Sequence, residues 1–312
     1  MDAELRRRLK ERLKRKFGSH GVLYSKYDPA IPMSAEREYR RIVNAYMGIL
    51  KETLESELPK CKDVYKSVRD ANVRENRRND SATDPTDLML AIAAVFTAME
   101  NALMSRTDGF GLRRRLENLA RLTRKLTVKE WKKAVRATLA IDIREDYYLG
   151  DFYADQLLIW IQENVDLIKT IPKDSLDKMR DIVYDGFVNG KTTTEMMKDI
   201  RRVYGVNKRR AMFIARDQIA KLNGEIQRAQ QMDAGIQEYI WSTVEDERVR
   251  KSHRELNGKK FSWDEPPKNS DGRCCHPGQD FNCRCIGRPV FARDALNLPI
   301  DEDALKMVVS IR

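Results

Sequence analysis

The stretch IQEYIWSTVEDERVRKSHRELNGKKFSW, residues 236–263, decides the fold. Its first eleven residues alternate and are rich in Ile, Tyr, Trp, Thr and Val, the pattern of a half-buried strand. DERVRKSH (246–253) suits a short helix, with Asp246 near an N-terminus that favours negative charge. Asn257-Gly258 offers a turn into a second strand, NGKKFSW, and IGRPVFA (286–292) reads as a third.

Upstream the period changes to that of a helix. In NKRRAMFIARDQIAKLNGEIQRAQQMDAG (207–235), Ala211, Ile214, Ala215, Ile219, Leu222, Ile226, Ala229 and Met232 follow the three-and-four spacing of one buried face, and Gly235 closes it. Before it, GKTTTEMMKDIRRVYG (190–205) carries a capping box, Thr192 with Glu195, and Gly205 is expected to end that helix before Asn207 starts the next.

Residues 1 to about 205 read as almost wholly helical, with short breaks at KYDPAIPMS (26–34), NDSATDPTD (79–87) and SRTDGFG (105–111). In DPTD, Asp84 serves as N-cap, Pro85 as first helical residue and Asp87 favours the dipole. KTIPKDSLDKM (169–179) is expected to break one helix and cap the next. No repeat of solenoid length is present. The fold class is therefore mainly α: a long helical N-terminal body (1–185), a small α+β domain (186–291) that a metal would staple, and a tail (292–312).

The 312 residues suffice for about two domains and a core that needs no disulfides. Lys and Arg number 59 against 48 Asp and Glu, a net charge of +11, which favours an anionic partner. One basic cluster spans Arg6, Arg7, Arg8, Lys10, Arg12, Lys14, Arg15 and Lys16; a second includes Arg113, Arg114, Arg115, Arg121, Arg124, Lys125, Lys132 and Lys133. Solvated helix faces carry such runs too. With few aromatics among them, base stacking is unsupported, and contact with a nucleic-acid backbone or an acidic protein is what the pattern allows. No helix-turn-helix stands out.

MDAELRRRLKERLKRKFG lacks the apolar core of a signal peptide. The run LMLAIAAVFTAM (88–99) is interrupted by Glu100, falls short of the about 20 residues a bilayer requires, and reads as a buried helix with no membrane partner. In a reducing compartment, clustered Cys and His hold metal more readily than they form disulfides.

Four of the five cysteines and two of the three histidines lie between His253 and Cys285. Zinc takes four N or S donors in a tetrahedron for a structural role, or three and a water for catalysis. The expected ligands are His253, Cys283 and Cys285, completed by Cys274, Cys275 or His276. The C-x-C pair has no second knuckle, so free thiols and a disulfide stay open as alternatives. Asp246, Arg248 and His253 raise a second reading, an acid, a base and a metal-bound water in a metal-dependent nuclease or other hydrolase. Without a second His-rich motif or a carboxylate set for two metals, no catalytic residue is assigned. GFVNGKTTT (186–194) fails as a phosphate loop, because the first Gly would fall at Asp185 and no strand precedes it.

Several blocks occur in an uncommon order: Ile214-Ala215-Arg216-Asp217; Trp241, Thr243, Asp246, Arg248 and His253; Leu256-Asn257-Gly258; then Pro277-Gly278 and Asn282-Cys283-Arg284-Cys285. Over Gly186 to Phe291 they resemble the C-terminal domain of the phage head morphogenesis family, typified by the minor head protein of phage SPP1 and the F protein of phage Mu. The resemblance implies a minor capsid protein of the virion, inside the head, made in the host cytoplasm and associated with the portal protein and with the major capsid or scaffold protein. It implies contact with the packaged DNA; no enzymatic activity is expected, because no active-site constellation is present. Many relatives have a compact H-P-N-C-R-C, whereas here GQDF separates His276-Pro277 from Asn282, and Cys274 and Cys275 are additional. Asp246, Arg248, Arg284 and Trp241 are expected as structural residues, with Arg284 free to bind a carboxylate such as Asp246.

Overall fold

The computed structural model describes residues 3–79 and 85–300, with the side chains of 72–79 and 85 left out, so the Asp84 cap lies outside the described residues. In chain order the elements are α1 (Ala3–Phe17), β1 (Val22–Tyr24), α2 (Met33–Asn79), α3 (Pro85–Asp108), α4 (Leu112–Leu139), α5 (Glu145–Leu149), a 3-10 turn (Asp151–Tyr153), α6 (Ala154–Val188), α7 (Thr193–Asp233), β2 (Glu238–Ser242), α8 (Lys251–Arg254), β3 (Lys260–Ser262) and β4 (Ile286–Ala292). The mainly helical chain with a small sheet toward its C-terminus is the expected class.

Compactness divides the chain into two discontinuous units. One holds the described residues up to Arg37, Glu117–Trp160 and those from Arg216 onward; the other holds Glu38–Leu116 and Ile161–Ala215.

The first unit contains the sheet, ordered β1-β4-β2-β3 and antiparallel throughout. Tyr239 on β2 faces Phe261 of β3 and Pro289 of β4. Alternation on β2 buries Tyr239 and Trp241 completely, as a half-buried strand requires. The fourth strand, β1, adds to the three read from sequence: three residues, one helix away from the N-terminus, pair Val22–Tyr24 with Ala292–Val290. In α1, Leu5, Leu9, Leu13 and Phe17 recur every fourth residue and are all buried, so the leading basic run is an amphipathic helix with its cations outward.

In the same unit, the later turns of α7 bury Ile219, Leu222 and Ile226 as expected, but Met232 is exposed. Buried polar side chains share this face: Asn223 accepts a hydrogen bond from Thr127 at 2.8 Å, and Gln231 donates to the Gly287 carbonyl at 2.7 Å while accepting from the Trp263 indole at 3.0 Å. Gly235 stops the helix with φ +77°, and a Cβ there would stand 1.9 Å from the Ala295 carbonyl oxygen, so only glycine fits.

In the second unit, two expected helix breaks are absent. α6 runs through Pro172 and α7 through Gly205. Packing overrides local preference in each case. Ile168, Ile171, Leu176 and Met179 keep one stripe buried on both sides of the proline, and the Ser175 hydroxyl bonds the Ile171 carbonyl at 2.7 Å. Met196, Ile200, Ala211 and Ala215 do the same across Gly205, and Asn207, mid-helix, donates to Ser175 at 2.7 Å. The capping box forms: Glu195 accepts from the Thr192 amide at 2.8 Å, and its own amide donates to the Thr192 hydroxyl.

α3 corrects the length read from sequence. Thr86–Asp108 is, by length and composition alone, apolar enough to cross a bilayer, because the helix continues past Glu100. It is also only partly a buried helix. Leu88, Ile92, Phe96, Met99 and Leu103 form a buried stripe, while Met89, Leu90 and Met104 are exposed.

Candidate functional site

Three short pieces bring the site together beside β2. Arg250, extended, leads into α8, whose single turn buries His253. The loop 264–285 then folds over it. Asn269 fixes the loop's start, its side-chain oxygen accepting from the amides of Asp271 and Arg273 at 3.0 Å each, and Ser252 ties Asp271 to α8 at 2.6 Å. Its far end rests on α7. Asp217, buried, accepts from the Asn282 amide at 2.8 Å, holding that residue at φ +49°, and Gly278 at φ +86° lies against Gly224. A Cβ on Gly224 would come within 2.9 Å of the Pro277 carbonyl oxygen, so the blocks containing Asp217, Gly224, Pro277 and Gly278 meet backbone to backbone.

At the centre, His253 Nδ1 lies 3.5 Å from Cys283 Sγ and 3.6 Å from Cys285 Sγ. The Cys285 amide donates to Cys283 Sγ at 3.4 Å. All three residues are buried, and the Trp241 ring closes the site edge-on, 5.3 Å from the imidazole. His253 Nε2–H donates to Asp280 at 3.2 Å. Asp280 is itself buried and accepts from Arg250 at 3.2 Å, Arg273 at 2.8 Å and the Phe281 amide at 2.8 Å. Ligand atoms of His253, Cys275 and Asp280 also lie within 4.8 Å of one another.

Electrostatics follow the geometry. His253 is raised to about 10, first by its hydrogen bond with Cys275 and next by that with Cys283, against burial. Cys283 is held well below an ordinary thiol by the Cys285 thiol, burial opposing, with His253 helping, and Cys285 is pushed up by Cys283 and by burial. All five thiols are free.

Of the three residues considered for a fourth ligand, Cys275 stands beside His253. Cys274 is exposed, bridging to Lys268 across the loop. His276 turns away: its Nδ1 meets the Tyr239 hydroxyl at 3.0 Å, its ring packs 5.1 Å from Trp263, and burial, with Arg228 nearby, pulls it down to about 4. Asp280, in the GQDF segment, escapes a reading of the sequence, because one carboxylate in a polar loop gives no signal until the loop folds. Arg284 donates to Asp246 at 2.6 Å and keeps that carboxyl below its usual range. The Arg248 amide also donates to Asp246, and Trp241 is a wall of the cluster.

The basic residues separate. Arg6, Arg7 and Arg8 lie on α1 in the first unit, where Arg7 pairs with Glu4 and Glu11 at 2.7 Å each. Arg113, Arg114 and Arg115 begin α4 in the second unit. There Arg113 bonds Gln162, and Arg115 donates to the Phe110 carbonyl and covers its ring at 4.5 Å.

Residues 177–287 match the family model described as Phage Mu protein F like protein, which contains every residue of the cluster. A protein of Haemophilus influenzae, described as uncharacterized, is 42% identical over 128 residues, covering 41% of this chain and 28% of that relative. The chain thus spans under a third of the length of the relative it matches. No solved structure matches.

Proposed function

We propose, from the phage Mu F-like match over 177–287, that the chain is a head morphogenesis protein of a tailed bacteriophage: a minor capsid component inside the head, docked to the portal and to capsid or scaffold protein, with basic helices toward packaged DNA. The family match carries the reading. The site supports assembly over turnover, since its charged groups engage one another: Asp246 with Arg284, and His253 with Asp280. A net charge of +11 suits proximity to DNA.

The test is genetic and biochemical. Deleting the gene from its phage lowers the titre of infectious particles, and complementation restores it. In wild-type lysates the chain co-purifies with heads and is lost from procapsids assembled without portal. Equal amounts in portal-less procapsids would argue against portal docking. A hydrolase makes a separate prediction, that purified chain nicks plasmid DNA and His253→Ala abolishes this; on the assembly reading there is no nicking to lose.

A further inference from the structure

We propose that His253 Nδ1 and the sulfurs of Cys283, Cys285 and Cys275 bind a single structural zinc ion, with Asp280 as the residue that orients the imidazole. The site goes beyond the head-assembly reading and does not depend on it.

Four observations carry it. The first is spacing. Zinc–sulfur bonds of about 2.3 Å and zinc–nitrogen bonds of about 2.0–2.1 Å at tetrahedral angles put a ligating S and N about 3.6 Å apart. The two sulfurs stand 3.5 and 3.6 Å from Nδ1, so one edge from each is already set to the size of the ion. The second is direction. A metal-bound histidine donates its other ring N–H to a carboxylate, which fixes tautomer and ring plane. Asp280 takes Nε2–H at 3.2 Å and leaves the Nδ1 lone pair facing the sulfurs.

The third is charge. Three thiolates, a divalent ion and Asp280 together carry two negative charges, and Arg250 and Arg273, both on Asp280, cancel them. A buried site needs this balance because an uncompensated ion there is costly. The fourth is the small core. Tyr239, Trp241, Leu256, Trp263 and the three buried cysteines are one cluster, and the long loop over them has little regular structure of its own. In such a module the free energy of metal binding becomes folding free energy. Cys275 is the remaining donor: it is buried and its sulfur lies within 4.8 Å of His253 and Asp280, outside the His253–Cys283–Cys285 group, so it has to close onto the ion when the ion binds, whereas Cys274 is exposed and His276 bonds Tyr239.

The experiment uses the full chain, stripped with chelator under reducing conditions and retitrated with zinc alone and with cobalt(II) alone. Expected are one zinc per chain by elemental analysis, a rise in the thermal midpoint on reloading, and a cobalt spectrum with sulfur-to-metal charge transfer and tetrahedral d–d bands. Cys283→Ser and His253→Ala abolish stoichiometric uptake. Should either fail to fold, stripping and reloading of the wild-type chain decides. Cys274→Ser and His276→Gln keep the stoichiometry and the cobalt spectrum. Cys275→Ser shifts the charge-transfer band, and an unchanged band would overturn its place as fourth ligand. A reduced chain that takes up neither metal, with Cys283 and Cys285 titrating as free thiols throughout, overturns the site.

Discussion

Asp280 aims His253: one 3.2 Å hydrogen bond to Nε2 leaves Nδ1 facing Cys283 and Cys285. The carboxylate meets the ring at Nε2, the nitrogen other than the one beside Cys283 and Cys285, and is held there by Arg250 and Arg273, so its assigned role is to orient the imidazole. Asp280→Ala is therefore expected to keep the stoichiometry of zinc uptake and to weaken affinity by about 10–100-fold, the usual cost of losing such a partner. Competition with a chromophoric chelator measures this. Loss of all binding would make Asp280 a ligand, and unchanged affinity would leave it with no positioning role.

Gly224 tests whether the loop must meet α7 backbone to backbone. A methyl there would stand 2.9 Å from the Pro277 carbonyl oxygen and 3.4 Å from Gly278 Cα, neither of them a flexible side-chain tip. Gly224→Ala would ordinarily stabilise a helix interior, yet here overpacking is expected to dominate at about 1–3 kcal/mol of destabilisation. Denaturant unfolding of the two proteins gives the value. A stabilised variant would mean the loop yields easily.

Where local pattern and tertiary packing agree, the sequence is legible. The period-two run of β2, the Asn257-Gly258 turn, the Thr192–Glu195 capping box and the Gly235 stop all depend on residues a few positions apart. Pro172 and Gly205 mislead because a buried stripe continues across each, and burial outweighs a proline's lost hydrogen bond or a glycine's entropy. β1 is invisible because its partner, β4, lies near the other end of the chain and three residues show no period. In the site, His253, Cys283 and Cys285 announce themselves by chemistry. Choosing Cys275 over His276 depends on which way the loop turns, set by Asn269, Gly278 and Asn282, and that is tertiary information.

Glu130 provides a pH test away from the cysteines. Its carboxylate accepts from the Tyr27 hydroxyl at 2.6 Å, the Ala30 amide at 2.9 Å and Lys133 at 2.6 Å, joining the segment after β1 to α4. Burial pushes its pKa up, but the hydrogen bonds from Lys133, Tyr27 and Ala30 outweigh it and the net shift is down. A depressed folded-state pKa means the folded chain binds the proton less tightly than the unfolded chain. The contribution is therefore fully present above the ordinary value of 4.5 and is lost as pH falls through the lower folded value. The difference in thermal midpoint between wild type and Glu130→Gln should be largest at neutral pH and shrink as pH falls below the ordinary value of 4.5. A difference that holds constant with pH would sink the assignment.

The two basic clusters are expected to differ in their hold on DNA. On α1, Arg6, Lys10 and Lys14 recur every fourth residue on an exposed flank, opposite the buried Leu5, Leu9 and Leu13. At α4, Arg113 and Arg115 already bond Gln162 and Phe110. A cation that neutralises a phosphate releases a counterion, so removing one such cation flattens the slope of log K against log salt by about 0.9. Replacing Arg6, Lys10 and Lys14 with Glu is expected to weaken binding to random-sequence duplex and to flatten that slope by the equivalent of two to three phosphates, with helicity unchanged by circular dichroism. Replacing Arg113, Arg114 and Arg115 with Ala should change the slope by no more than one phosphate's share. The reverse ranking would place the DNA-facing surface on α4, and a wild-type affinity insensitive to salt would remove DNA as a partner of either helix.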